Sequence, residues 1–234
     1  DVCMQNLPVT LSIDRAGIVG NDGETHQGVF DFSYLRMIPN MVIMAPADEN
    51  ELQHMLNTAV NYQGPAAIRY PRGQGYGVQL DQDLKQYAIG KSKMMVEGND
   101  ILIIAVGSRV IPAVEAAGQL KHEGISSGVL NARFIKPLDQ KKLLKLFNKY
   151  KNVLTVEEHV LTGGFGSAVL EFINKKGIDG INIKRLGLPD EFILQGDMEE
   201  MRSLYGLDVN GIKDAAYQII NQDLEVKICP GRNA

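Results

Sequence analysis

The run Ile-Leu-Ile-Ile-Ala-Val at residues 101–106 is unbroken by any polar residue and ends at Gly107-Ser108. Such a run is a strand covered on both faces, and strands of that kind belong to sheets flanked by helices. Apolar runs at Leu7–Asp14, Met41–Met44, Ala66–Tyr70, Gly128–Ala132, Val153–Val156 and Ile181–Arg185 read as further strands. Ile89–Val96 reads as one more, leading into a second unit. Between the strands lie helical segments: Phe30–Met37, a helix capped by Asp48 and ending near Asn61, Arg109–His122, Leu138–Tyr150, Gly164–Lys175, Met198–Leu204 and Val209–Gln222. Asp48 followed by Glu51 forms a capping-box-like pattern. The alternation predicts an α/β fold with mostly parallel sheets covered by helices. Ligands of such sheets bind beyond the carboxyl ends of the strands.

The chain has 234 residues, enough for one large or two modest domains. At GQGYGVQLDQDLKQY, residues 73–87, the periodicity disappears, which places a boundary near residue 80. The expected division is residues 1–80, residues 85–224, and a loose tail over 225–234. The formal net charge is −4 and no basic stripe appears, which argues against a general nucleic-acid binder. Cys3 and Cys229 have neither metal nor redox spacing and read as ordinary thiols of a reducing compartment. No apolar run approaches membrane-spanning length and no secretory leader is visible, so a cytoplasmic location is the expectation.

Chemistry is expected first in the loop after the opening strand. Arg15, Asp22 and His26 sit there among Gly17, Gly20, Gly23 and Gly28. An arginine fork suits phosphate or carboxylate, and a histidine exchanges protons near neutral pH. A surface loop with a capping aspartate and a structural histidine is the plainer alternative. Arg69 and Arg72 close another strand in IRYPRG; Arg72 suits an anion clamp with Arg15 or a boundary ion pair, and Arg69 suits a structural pair. Gly163, Gly164 and Gly166 precede a helix, where close packing is favoured over an anion site. His54 and His122 read as plain helix histidines, and no histidine pair has metal spacing.

DRAGIVGNDGETHQG (14–28), FDFSYLRMIPNMVIMAPADENEL (30–52), AIRYPRG (67–73), VEEHVLTGGFGS (156–167) and LGLPDEFILQG (186–196) together resemble the 1-deoxy-D-xylulose-5-phosphate synthases, thiamin enzymes of transketolase type. The resemblance covers the chain except its last residues. It implies the rear part of a pyrimidine-binding domain followed by a complete transketolase C-terminal domain. It implies a homodimer that condenses pyruvate with D-glyceraldehyde 3-phosphate, releasing carbon dioxide, with thiamin diphosphate and Mg2+ as cofactors. The product feeds isoprenoid, thiamin and pyridoxal synthesis. By the same resemblance Arg15 and Arg72 bind the acceptor phosphate, while His26 stands beside the reacting centre with Asp22 as its companion carboxylate. The family's diphosphate- and magnesium-binding motif, its activating glutamate and its stacking aromatic residue have no counterpart here. The chain is therefore expected to be a truncated piece, inactive alone and holding no cofactor, with an unpaired strand edge or apolar face left open. The alternatives are a transketolase, a pyruvate dehydrogenase beta subunit, or a non-catalytic dimerisation module.

Overall fold

A computed structural model describes residues 1–228. The first half contains β1 (Thr10–Ile13), α1 (Asp31–Arg36), β2 (Val42–Met44), α2 (Glu49–Asn61) and β3 (Ala66–Arg69). After an irregular stretch come β4 (Lys93–Val96), β5 (Ile101–Ala105), α3 (Val110–His122), β6 (Ser127–Asn131) and β7 (Phe134–Lys136). The chain finishes with α4 (Gln140–Lys149), β8 (Asn152–Val160), α5 (Phe165–Lys176), β9 (Asn182–Leu188), α6 (Met198–Leu204) and α7 (Val209–Ile228).

The larger sheet has the order β4-β6-β5-β8-β9. It is parallel except for β4, which runs antiparallel to β6. β5 lies at its centre and is wholly buried. Its side chains alternate between two cores, as the period of a strand requires. Ile101, Ile103 and Ala105 face a core that includes α3 and α7, while Leu102 and Ile104 face one that includes α4 and α5. Each buried Ile or Leu among them contributes about 2 kcal/mol, which is why the unbroken apolar run is needed.

The smaller sheet has the order β1-β3-β2-β7. β1, β3 and β2 are parallel, but β7 is antiparallel to β2 and comes from beyond the expected boundary. The two halves thus share a sheet. They also share a core, since Phe32, Leu35, Ile43 and Ala67 pack with Leu102, Ile104 and Phe165. The α2 side of the smaller sheet buries Val42, Met44, Met55, Ile68 and Phe134.

Some expectations need correcting. β1 is shorter than Leu7–Asp14 and only half-buried, because it pairs with β3 alone. β8 is longer than Val153–Val156, so 157–159 lie inside a buried strand and not in a loop beyond it. β7 had no signal in the sequence. The last helix continues through residues 225–228, the first part of the expected tail; residues 229–234, including Cys229, lie outside the described residues. Cys3 is buried and free.

Glu51 ties the halves together. Asp48 caps α2 by accepting from the Glu51 amide at 2.7 Å. The Glu51 carboxylate accepts from the Ala47 amide (2.9 Å), Asn131 Nδ2 (2.9 Å) and Arg133 Nε (2.7 Å). His54 holds the irregular stretch against α2: its ring lies 2.9 Å from the Asp81 carboxylate and accepts from the Lys85 amide at 3.1 Å. Removing one partner of a buried ion pair strands the other. Glu51→Ala is expected to lower unfolding stability by about 3 kcal/mol in urea titration, and a cost below about 1 kcal/mol would show that Glu51 does not couple the halves.

Candidate functional site

The loop after β1 has a dry stem and a wet tip. Residues 16–20 are buried, and the side chains from Asn21 to His26 are exposed or partly so. The stem closes on itself: the Gly17 amide donates to Gly28 O at 2.8 Å and the Gly28 amide donates to Gly17 O at 2.9 Å. A Cβ on Gly28 would lie 2.0 Å from the Arg15 carbonyl oxygen, and one on Gly17 would lie 2.5 Å from Glu158 Oε1. Gly17 also has φ +78°, so both close approach and backbone conformation demand glycine there.

Arg15 lies at the start of this loop with φ 56°, a left-handed backbone that non-glycine residues rarely adopt. Arg72 lies just past β3. Asp22 comes from the loop tip and stands between them: its carboxylate is 3.7 Å from Arg15 Nε and ion-paired with Arg72 Nη1. Arg72 Nη1 also donates to Val19 O at 3.4 Å, and Arg15 Nη1 donates to Asp14 at 2.8 Å. The side chains are 50% (Arg15), 47% (Arg72) and 25% (Asp22) exposed. Exposed ion pairs of this kind contribute only about 0–1 kcal/mol each, so a dianion with several acceptor oxygens can displace Asp22. The structure therefore brings three of the four expected site residues together, Arg15, Asp22 and Arg72. His26 is exposed on the same loop and meets Thr25 Oγ1 at 3.1 Å. Asp22, expected as the companion of His26, has the arginines as its partners.

Arg69 pairs structurally, as its place within the strand suggests. It is buried, donates through Nε to Asp31 at 2.8 Å, and donates through Nη2 to the carbonyls of Gly28 and Glu158, both at 2.8 Å. The glycines before α5 serve close packing. Glu157 accepts from the Phe165 amide (2.6 Å) and the Gly166 amide (2.8 Å), so an internal carboxylate caps that helix N-terminus. A Cβ on Gly164 would lie 2.3 Å from Glu157 Oε2. Burial pushes the Glu157 carboxyl up to about 7, against the pull of those two amides.

Sequence reasoning missed the buried acidic pair Glu157-Glu158 and His159 as structural centres. The signal was there: charged residues continuing an apolar run need buried partners. His159 donates through Nδ1 to Val160 O at 2.6 Å and stacks on Phe32 with ring centroids 4.9 Å apart. Its Nε2 lies 3.8 Å from Asp31 Oδ1, and neither atom has a hydrogen-bond partner. Among the described residues no group of three His, Cys, Asp or Glu side chains could hold a metal ion. Among them, too, no helix is long and apolar enough to cross a membrane.

The sequence pattern described as "Transketolase, pyrimidine binding domain" matches residues 1–76, and that described as "Transketolase, C-terminal domain" matches residues 90–212. The chain is 57% identical over 234 residues to a "1-deoxy-D-xylulose-5-phosphate synthase" of Halothermothrix orenii, spanning all of this chain and 37% of that protein. It is also 57% identical over 221 residues to the protein of the same name from Syntrophus aciditrophicus, spanning 94% of this chain and 34% of the relative. A solved structure described as "Split gene transketolase, inactive beta4 tetramer" superposes with a TM-score of 0.80 at 27% identity, covering 94% of this chain and 69% of the other. A transketolase mutant from Pichia stipitis superposes with a TM-score of 0.71 at 22% identity and shares the fold.

Burial lowers the His159 imidazole from its ordinary value to about 4, helped by Arg69 and opposed by Asp31. The folded state thus binds the proton more weakly than the unfolded chain, so stability rises with pH across this window. Wild-type protein is expected to lose about 3 kcal/mol more than His159→Phe between pH 7 and pH 4, measured by urea unfolding. Parallel pH profiles for the two proteins would remove His159 as the cause.

Proposed function

The chain belongs to the transketolase family, and from that premise we propose that the whole protein to which it corresponds is a 1-deoxy-D-xylulose-5-phosphate synthase. In that reaction the bond between the carboxylate and the carbonyl carbon of pyruvate breaks and carbon dioxide leaves. A new bond joins that carbonyl carbon to the aldehyde carbon of D-glyceraldehyde 3-phosphate, and the aldehyde oxygen takes a proton. The observation that supports this reading is the convergence of Arg15 and Arg72, from the ends of two neighbouring parallel strands, on a single displaceable carboxylate.

Each residue then has a part. Arg15 and Arg72 hold the acceptor phosphate where Asp22 now sits, which fixes the aldehyde at one distance from its reaction partner. Release from the arginines frees the Asp22 carboxylate to accept from a substrate hydroxyl. His26 is at the open tip of the same loop, where an imidazole can donate to or accept from a reacting oxygen near neutral pH. Thiamin diphosphate with Mg2+, when bound, supplies the carbanion-stabilising chemistry that lets pyruvate lose its carboxylate. On this reading the chain's contribution is to the acceptor and to the loop beside the reacting centre.

The chain alone is proposed to be inactive and to work within a homodimer in the cytoplasm. Phe192 and Leu194 stand exposed beside the loop, with Phe192 edge-on to Phe30 at 6.2 Å, as expected of a face that meets another protein surface. A second reading keeps its place through the split-gene transketolase structure, of which this chain covers 69%: a ketol transferase assembled from separate chains. The donor substrate distinguishes the two.

Arg72→Ala in the whole protein is expected to raise the apparent KM for D-glyceraldehyde 3-phosphate roughly thirtyfold, the loss of about 2 kcal/mol from a charge-assisted contact, with pyruvate KM unchanged. Pyruvate-dependent carbon dioxide release is the assay. Ketol transfer from a sugar phosphate, without pyruvate consumption, would replace this reading by the transketolase one.

A further inference from the structure

The stem of the site loop has backbone amides that no strand ladder satisfies. Ile18 and Val19 are buried, and a buried amide without a partner is costly. Side chains supply the partners. The Val19 amide donates to Gln27 Oε1 at 2.8 Å, and Gln27 Nε2 in turn donates to Leu194 O at 3.2 Å. The Ile18 amide donates to Glu158 Oε1 at 2.9 Å, from a residue far along the chain at the carboxyl end of β8.

Glu158 is itself heavily held. Its side chain is 1% exposed. Its carboxylate lies 2.9 Å from Arg109 Nε and 3.2 Å from Arg202 Nη2, and accepts from Ser108 Oγ at 2.9 Å. Arg109 donates onward to Leu207 O at 2.8 Å, and Arg202 pairs with Glu199 on its solvent side. Burial alone would raise the Glu158 carboxyl, yet Arg109 and Arg202 hold it below its ordinary value. The group is therefore a fixed negative charge wedged beneath Gly17, where no Cβ fits. Arg15 stands directly before this gripped stem, and Asp22 follows it after Asn21.

We propose that Glu158 is a positioning residue for the acceptor site: through the Ile18 amide it sets the placement of the loop that presents Arg15 and Asp22 to Arg72, with Arg109 and Arg202 as its counter-charges. This rests on the proposed acceptor role of the arginines. The second half of the chain thereby reaches the site without supplying a group that touches substrate. A carboxylate suits the task because it can meet two guanidinium groups, a hydroxyl and an amide at once, and each contact restricts the others.

The test uses the whole protein with Glu158→Gln, which keeps the shape and removes the charge. Hydrogen exchange followed by mass spectrometry is expected to show residues 16–20 exchanging at least tenfold faster, with residues 101–105 unchanged. KM for D-glyceraldehyde 3-phosphate is expected to rise at least tenfold, with pyruvate KM within twofold. Should Glu158→Gln fail to fold, Arg202→Met leaves the Arg109 pair in place and is expected to move both readouts in the same direction by a smaller factor. Equal loosening of 16–20 and 101–105, or equal rises in both KM values, would assign Glu158 a purely structural role and overturn the proposal. So would unchanged exchange at 16–20. If the wild-type protein fails to consume pyruvate with the aldehyde, the synthase reading falls; the exchange measurement still decides whether Glu158 positions the loop.

Discussion

One guanidinium joins most of what matters in this molecule. Arg69, at the end of β3, meets the Asp31 carboxylate of α1, the Gly28 carbonyl of the site loop and the Glu158 carbonyl of β8, and its Cζ lies over the Phe32 ring, 4.3 Å from the centroid. These partners lie in three segments, α1, the site loop and β8, and β8 belongs to the other half of the chain. A buried cation demands that its partners be in place, because the desolvation cost falls on the fold whenever one is missing. Arg69 therefore makes the docking of the halves and the seating of the loop a single event.

Charge is used in opposite ways on the two sides of that loop. Beneath it, Glu158, Arg109 and Arg202 are dry, and attraction between them is little screened. Above it, Arg15 and Arg72 are half-exposed and Asp22 partly so, and water weakens the same kind of contact. The dry set fixes geometry. The wet set can exchange its partners, as the proposed uptake and release of a phosphorylated acceptor requires. The stem at residues 16–20 is the layer between them, and Gly17 and Gly28 allow it to be thin.

Much of the fold was legible from the apolar runs, because burial on both faces leaves a pattern that short-range reading can detect. β5, α2, α3 and α4 lie close to their expected places for that reason. β7 left no such mark: three residues after a tight turn carry too little periodicity, and their pairing with β2 is a long-range fact. β8 was read short because Glu157, Glu158 and His159 look like surface residues until their partners are known. Of the site, Arg15, Asp22, His26 and Arg72 were legible as chargeable groups just past strand ends. That Asp22 would face the arginines and not His26 was not, since a loop's side-chain pairing depends on how its backbone is held from below.

The amino-acid sequence by itself determined the α/β class, the helix and strand alternation, the family resemblance and the glycine-rich loop to which the chemistry is assigned by proposal. These follow from local pattern: apolar period, capping residues, glycines and the order of motifs. The tertiary structure decided that the two halves share one sheet and one core, that an internal carboxylate from β8 caps α5, and that Glu158 grips the site loop from the other half of the chain. Those outcomes rest on buried charges finding partners distant in sequence, and a charge carries no record in its own neighbourhood of which distant residue will neutralise it.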